Sequence, residues 1–505
     1  MRDPAPWQKR YGTMWVIALF LGFIGQYLFV DRPAGVSMPL FALGFYALFF
    51  YSIKGRIGGF DKWKGQSRMG WLLLIPIALL TLTYAIYANE VFRALNWIAL
   101  PILIVAQTML LTRSGSQSWH RVMFYSELLK QWLITPLNHL GVPIGMTAEW
   151  MRSGEDVVKP KSNVKKIGFG LILATPLLIV VIALLASADG IFQSWINSIP
   201  NGLDGDAIGT AIMRIIVGAC IALYTFCYIW GLLFRKTKPV DMGNVQVQLP
   251  GQSNDVKNTE PSKLDPITAI TVLICVNLVY VVFAVIQFSY LFGAAEGLIP
   301  AGTAYAEYAR RGFAELVLIA LINIGILLGG LHFISTSSVW LGRIRKLLLS
   351  LLMGCTIVML ISAYSRLSLY EEAYGYTSLR LLVHGFMIFL GVLMVVSLIR
   401  IWYGRFSLAK VYIVLAIVSY VIMNYANLDS RIATNNIDRY ERTAVIDIDY
   451  LWSLSADAGP ELIKFYKDHP ELEKLAPIIN NLRVEASSRN HWQSWNLAFQ
   501  RLNSQ

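Results

Sequence analysis

Charge is scarce in this chain. Charged residues make up 15% of the 505 positions and hydrophobic ones 56%, with a mean hydropathy of +0.53. A soluble domain averages about 25% charged residues, so an ordinary soluble globular protein is excluded. Cysteine is almost as scarce. Cys220, Cys227, Cys275 and Cys355 all lie inside apolar runs and form no C-x-x-C pair, which excludes a disulfide framework and a zinc site built on cysteine. The chain also lacks a G-x-x-x-x-G-K-S/T loop, an H-E-x-x-H pair, a G-x-S-x-G elbow and a G-x-G-x-x-G unit, and its six histidines are scattered. No motif for nucleotide, metal or serine-hydrolase chemistry is left, and no cofactor or metal is expected. Catalysis by carboxylates stays open, because paired acids need only be neighbours in space.

The net charge of +12 does not point to nucleic acid. Most of it falls in short loops between apolar runs, where basic residues orient membrane spans. Eleven runs are long enough for a bilayer core of about 30 Å: 12–30, 36–53, 70–88, 93–112, 167–187, 208–234, 266–292, 313–335, 346–364, 380–400 and 407–425. The first is too long for a signal-peptide core and has no A-x-A-like end, so it is expected to remain as a span. The fold class expected is therefore all-α, a polytopic membrane helix bundle with a small helical C-terminal tail. Its segments are 1–112 (four spans), 113–166 (a linker with an interfacial helix), 167–234 (spans five and six), 235–265 (a flexible loop), 266–425 (spans seven to eleven) and 426–505 (the tail).

Lysine and arginine set the orientation. One set of loops carries 27 of them, and the alternate set carries five, or six with Arg380. Basic residues favour the cytoplasmic side, so the N-terminus is expected in the cytoplasm of a bacterial cell and, with eleven spans, the tail outside. Within the linker, Trp119 to Ile134 alternates Val122, Met123, Leu129, Trp132 and Leu133 with Arg121, Glu127 and Lys130, which suits a helix lying in the membrane interface.

The tail has its own helical signals. Asp447–Leu454 and Pro460–Tyr466 are short candidates, a third helix is expected near Glu471–Val484, and Trp492, Trp495, Phe499 and Leu502 are spaced as one apolar face. A tail with so few aliphatics is small for a core of its own and is expected to dock on the outer ends of the spans.

Ionisable groups in lipid face a partner, the bundle interior or water. Arg214 lies inside the sixth run, Glu315 near the start of the eighth, and Arg380 and His384 open the tenth one helical turn apart. Glu371 and Glu372 precede them, in a stretch from Ser365 to Ser378 expected as an outer loop. Together these groups supply both signs of charge at one depth. A polar outer-face cavity beneath a lid from Asn427 to Arg439 would reconcile them. Snorkelling or ion pairing that merely holds helices together is the competing explanation.

Two motifs carry a family resemblance. Y-E-E-A-Y-G-Y-T-S-L-R precedes the tenth run, and N-L-D-S-R-I-A-T-N-N-I-D-R followed by D-Y-L-W-S-L-S-A-D-A-G-P comes after the last. Over about residues 170 to 470 the chain resembles a bacterial family of multi-span membrane proteins catalogued as a domain of unknown function. The matching residues are Glu371, Tyr374, Gly375, Thr377, Arg380, Asn427, Arg431, Asn435, Arg439, Asp449, Tyr450, Leu451, Ser455, Asp457 and Pro460. The resemblance implies a polytopic membrane protein with both motifs on one side, and implies no activity.

The expected function is a non-enzymatic envelope component of the bacterial inner membrane. It would bind a protein partner or a lipid-linked ligand through Arg214, Glu315, Glu371, Glu372, Tyr374, Arg380, His384, Asn427, Arg431, Asn435 and Arg439, with the lipid bilayer as its other partner. A transporter and an enzyme acting on lipid-linked substrates are the alternatives. The absence of a repeat between the two groups of spans weakens the first of these.

Overall fold

The computed structural model describes residues 5–57, 68–152, 205–234, 265–293, 313–332, 338–404 and 406–504. Among them there is no strand, and nine helices are long and apolar enough to cross a membrane. The chain is an all-α, polytopic membrane helix bundle. The fifth expected run, 167–187, and most of the 235–265 loop lie outside the described residues. The eighth run forms a helix from Phe313 to His332 whose apolar stretch, Glu315–Leu331, is shorter than the nine.

The chain divides into two compact units. The first comprises Met1–Tyr87, Val91–Lys238 and Ser487–Gln500, and the second Ala88–Glu90, Pro239–Ala486 and Arg501–Gln505.

In the first unit, α1 (Ala5–Phe29) packs along α9 (Gly205–Leu233). Small residues set their closest approach: a Cβ on Gly22 would lie 2.2 Å from the Gly218 carbonyl oxygen. This is the usual membrane solution, in which lipid drives no hydrophobic association and backbones must come close to gain dispersion. Above the glycines aromatic rings interlock, with Trp15 edge-on to Phe226 at 5.1 Å and Tyr11 to Trp230 at 4.9 Å. Next along the chain come α2 (Ser37–Ile57), α3 (Arg68–Leu72), α4 (Leu74–Ile86) and α5 (Glu90–Thr112). The Thr108 and Tyr228 hydroxyls, 2.5 Å apart, join α5 to α9.

After α5 the chain forms α6 (Val122–Leu129), a π-turn (Lys130–Ile134), α7 (Thr135–Asn138) and α8 (Gly141–Arg152). The end of the tail belongs to this unit too. The Trp495 carbonyl accepts from Val36 N–H at 3.1 Å, and Asn496 Nδ2 donates to the Tyr84 and Tyr87 carbonyls at 2.9 and 2.8 Å. The end of the tail therefore packs where α2 begins and α4 ends.

The second unit is built on α12 (Val339–Tyr374), which packs against α10 (Pro266–Gly293), α11 (Phe313–His332) and α13 (Ser378–Trp402), with α14 (Leu408–Tyr425) beside α13. Buried amides tie these helices: Asn323 Nδ2 donates to Thr356 Oγ1 at 2.8 Å and Asn277 Nδ2 to the Leu348 carbonyl at 3.1 Å. The helix of 36 residues corrects the sequence expectation, which ended this span at 364 and made 365–378 a loop. No residue between Ser365 and Tyr374 breaks a helix, and the buried Leu367 and Glu371 continue its inward face, so it runs on until Gly375. At 1.5 Å per residue it is roughly 54 Å long, more than the hydrocarbon core needs.

Beyond α14 the polar stretch is itself helical: α15 (Leu428–Thr443) buries Leu428, Asp429, Ile432, Ala433, Asn436 and Arg439. Then come α16 (Ile448–Leu451, shorter than expected), a 3-10 turn (Ala456–Ala458), α17 (Gly459–Asp468), α18 (Leu475–Ser488) and α19 (Leu497–Asn503). Two expectations shift here. The helix placed at 471–484 starts instead at Leu475, since Pro477 has no N–H to donate and fits only a first turn. Trp492 to Leu502 is not one face either. Asn496 Oδ1 accepts from Ala498 N–H at 2.8 Å and starts a fresh helix, so Phe499 and Leu502 are buried while Trp492 and Trp495 are half exposed.

Candidate functional site

The second unit's candidate site forms where α12 ends and α13 begins. Gly375 stops α12 with φ +87°, in the region that glycine alone adopts freely, and its N–H bonds back to the Glu371 carbonyl at 2.8 Å. α15 then clamps the turn. Asn436 Oδ1 accepts from Tyr376 N–H at 2.9 Å while its Nδ2 donates to the Tyr376 carbonyl at 2.9 Å. Arg439, buried, donates from Nε to the Glu372 carbonyl and from Nη2 to the Ala373 carbonyl, each at 2.7 Å, and from Nη1 to the Val445 carbonyl at 3.0 Å. Its guanidinium thus satisfies carbonyls that the end of a helix leaves orphaned, and its charge meets the negative end of the dipole. On the far side of the turn, Ser378 N–H donates to the Tyr450 hydroxyl at 2.7 Å, supplying the acceptor that the start of α13 needs.

Beneath this clamp sit groups whose polar atoms are not consumed. The Glu371 side chain is 4% exposed and that of His384 13%, with Nε2 and Oε2 3.5 Å apart. Neither Glu371 Oε1 nor His384 Nε2 has a hydrogen-bond partner among the described residues. The Tyr364 ring packs on the imidazole, centroids 4.3 Å apart. Arg380 bonds through Nη1 to the Gly375 carbonyl and lays its guanidinium 4.4 Å above the Tyr370 ring. It lends positive potential to Glu371 from across the turn. Burial pushes the Tyr376 hydroxyl up, and the nearby Glu371 and Glu372 charges push it the same way, against Arg442 and Arg439.

The structure therefore brings Glu371, Arg380, His384 and Arg439 to one turn. Glu372 and Tyr374 are there too, but their side chains face outward and exposed. Asn427 is the left-handed residue before α15, Arg431 is exposed and Asn435 half-buried on the outer side of that helix. Glu315 is exposed in the first turn of α11. Arg214 belongs to the first unit, where its guanidinium lies 3.8 Å from the Asp31 carboxylate.

Sequence reasoning passed over Asn436, although a helical reading of 428–443 would have found it. Leu428, Ile432 and Ala433 set the buried phase, which Asn436 and Arg439 continue and Asn435 misses by about 100°.

Also missed was a pair of buried carboxylates in the second unit. Asp429 accepts from Asn89 Nδ2 at 2.9 Å and from both the N–H and the hydroxyl of Ser455. Asp457 accepts from the N–H groups of Ala88 and Asn89 at 2.7 and 3.0 Å. Burial raises the Asp457 carboxyl to about 6, helped by Asp429 and opposed by the bonds from Ala88, Ser455 and Asn89. These acids hold the tail to the 88–89 turn.

No group of three or more metal-ligating side chains occurs among the described residues. The family described as Domain of unknown function (DUF4153) matches residues 74–465, beginning well before the stretch on which the two motifs suggested it. No curated protein and no solved structure matches the chain.

Proposed function

This chain belongs to the DUF4153 family, and for it we propose a non-enzymatic role: a bacterial inner-membrane protein that binds a ligand or partner through the Glu371–His384 site. The observation carrying this reading is that, among the described residues, buried Glu371 Oε1 and His384 Nε2 accept or donate no hydrogen bond, Nε2 having only the Glu371 carboxylate 3.5 Å away, beneath a turn whose backbone groups are satisfied. Leaving a polar group buried and unbonded costs about 1–3 kcal/mol, a cost that a ligand bearing both a donor and an acceptor would relieve. Arg380 adds positive potential, and Tyr364 and Tyr370 form aromatic walls. For a larger partner, the exposed side chains of Glu372, Tyr374 and Arg431 offer further contacts on the same outer surface. Arg439 and Asn436 act here as positioning residues.

The same reading places the N-terminus in the cytoplasm and the site outside. The turns that receive tail residues, at 36, 84–89 and 375–378, are the ones poor in lysine and arginine, and the rich ones are favoured inside. A reporter fused after Gln505, active only outside the cytoplasm, tests that placement.

The decisive experiment is mass spectrometry of gently purified wild type beside Glu371→Gln, which keeps size and shape and removes the carboxylate. A small polar molecule or protein retained by the wild type and lost from a variant of unchanged melting temperature supports the reading. Equal recovery from both, or nothing bound to either, rejects it.

A further inference from the structure

We infer that the segment from Val122 to Leu140 is embedded in one leaflet and that its outward face is covered by anionic lipid. The inference is carried by the first unit and is independent of the Glu371–His384 site.

The segment is seated at membrane depth. The Tyr224 hydroxyl donates to the Trp132 carbonyl at 3.0 Å, and the Cys227 thiol lies 3.5 Å from the His139 carbonyl. A Cβ on Gly231 would come within 2.2 Å of Thr135 Cγ2. Tyr224, Cys227 and Gly231 lie on one face of α9, inside the span Gly209–Leu233. The π-turn and α7 pack on this face, and the segment buries Phe124, Leu128, Pro136 and His139, the first two in the core of the unit. It therefore lies alongside the last turns of a span rather than out in solvent.

Its other face is apolar and, among the described residues, uncovered. Val122 is 84% exposed and Leu137 66%, with Leu129, Leu133 and Ile134 about half exposed. The four-residue spacing of Leu129, Leu133 and Leu137 keeps them in line because the helix widens to a π-turn at Lys130–Ile134. Exposed to water, such a stripe would cost about 25 cal/mol for every Å². Facing acyl chains it costs nothing.

Charge selects the lipid. Arg113, Arg121 and Lys130 are exposed around the stripe. The sole acid from Arg113 to Thr147, Glu127, is occupied by the Ser116 N–H at 2.9 Å and by its hydroxyl. An amphipathic helix with a basic rim and no free acid attracts anionic headgroups. Beside it opens a cleft of about 340 Å³ lined by Asn138, His139, Gly141, Val142, Trp230 and Phe234.

The test uses the full chain, its four cysteines replaced, in nanodiscs of phosphatidylglycerol or phosphatidylcholine. Nitroxides are placed singly at Leu129, Leu133, Leu137 and Asn138. The inference expects the three leucine positions to be relaxed by oxygen and shielded from an aqueous nickel chelate, with Asn138 the reverse. Access of the chelate to the leucine positions, or shielding from both reagents as under a protein partner, overturns it. Spin-labelled phosphatidylglycerol should associate in preference to phosphatidylcholine, and Arg121→Gln and Lys130→Gln should each weaken that preference by roughly fivefold. An unchanged preference in both variants rejects the anionic assignment.

Discussion

Asn436 grips Tyr376 by both of its backbone groups, accepting from the N–H and donating to the carbonyl at 2.9 Å each. One side chain on α15 thus does for the α12–α13 turn what a neighbouring strand does in a sheet. Asn436→Ala removes both bonds and leaves two backbone groups to find water, so a loss of about 2 kcal/mol is expected. Asn435→Ala, one residue out of phase, should be within about 0.5 kcal/mol of wild type. Thermal unfolding of the two variants in detergent checks the pair, and equal effects would refute the phase assigned to α15.

Arg439 reaches three carbonyls with three different nitrogens. A lysine ammonium at the end of a flexible stem cannot span that geometry. Arg439→Lys is expected to destabilise the protein by about 2 kcal/mol although the charge is kept. Hydrogen exchange should then rise first at the turn 375–378, which loses its clamp, while the middle of α12 keeps its protection.

Where α1 crosses α9, Gly22 has no room for a methyl group, the nearest obstacle being the backbone oxygen of Gly218. Because backbone cannot move aside as a flexible side chain does, Gly22→Ala should cost about 1–3 kcal/mol. Gly209, on α9 with open space around it, is the control. Gly209→Ala should be neutral or slightly stabilising, since alanine suits a helix better. The melting temperatures of the two variants decide the matter.

Asp457 links stability to pH. Its carboxyl sits at about 6 in the folded protein against about 3.9 in an unfolded chain, so the folded state binds the proton more tightly. The stabilising contribution is fully present below about pH 4 and is lost as pH rises through about 6, a change of about 3 kcal/mol. Asp457→Asn can still accept the Ala88 and Asn89 N–H groups through its amide oxygen. It is expected to flatten the dependence between pH 4 and 6.5 and to match or exceed wild type at pH 7. Melting curves across that range give the answer, and an unaltered slope in the variant would sink the assignment.

The apolar run lengths, the scarcity of charge and the two late motifs were enough to determine an all-α polytopic membrane protein and its family, because apolar runs of about twenty residues suit helical spans, whereas a barrel strand needs only about ten alternating ones. Helix ends were less legible. Ser365–Tyr374 reads as a loop by polarity, yet nothing in it stops a helix, and only Gly375 with its positive φ does. The site was half legible. Glu371, Arg380 and His384 announce themselves as charges at a span end, and one helical turn joins the last two. What tertiary structure alone decided is which polar groups are spent and which are left over. Arg439 and Asn436 are consumed in holding a turn 60 to 66 residues away in sequence, while Glu371 and His384 keep atoms without a hydrogen bond among the described residues. Sequence records which donors and acceptors exist. Only the packing of α15 on the α12–α13 turn determines which of them have already met.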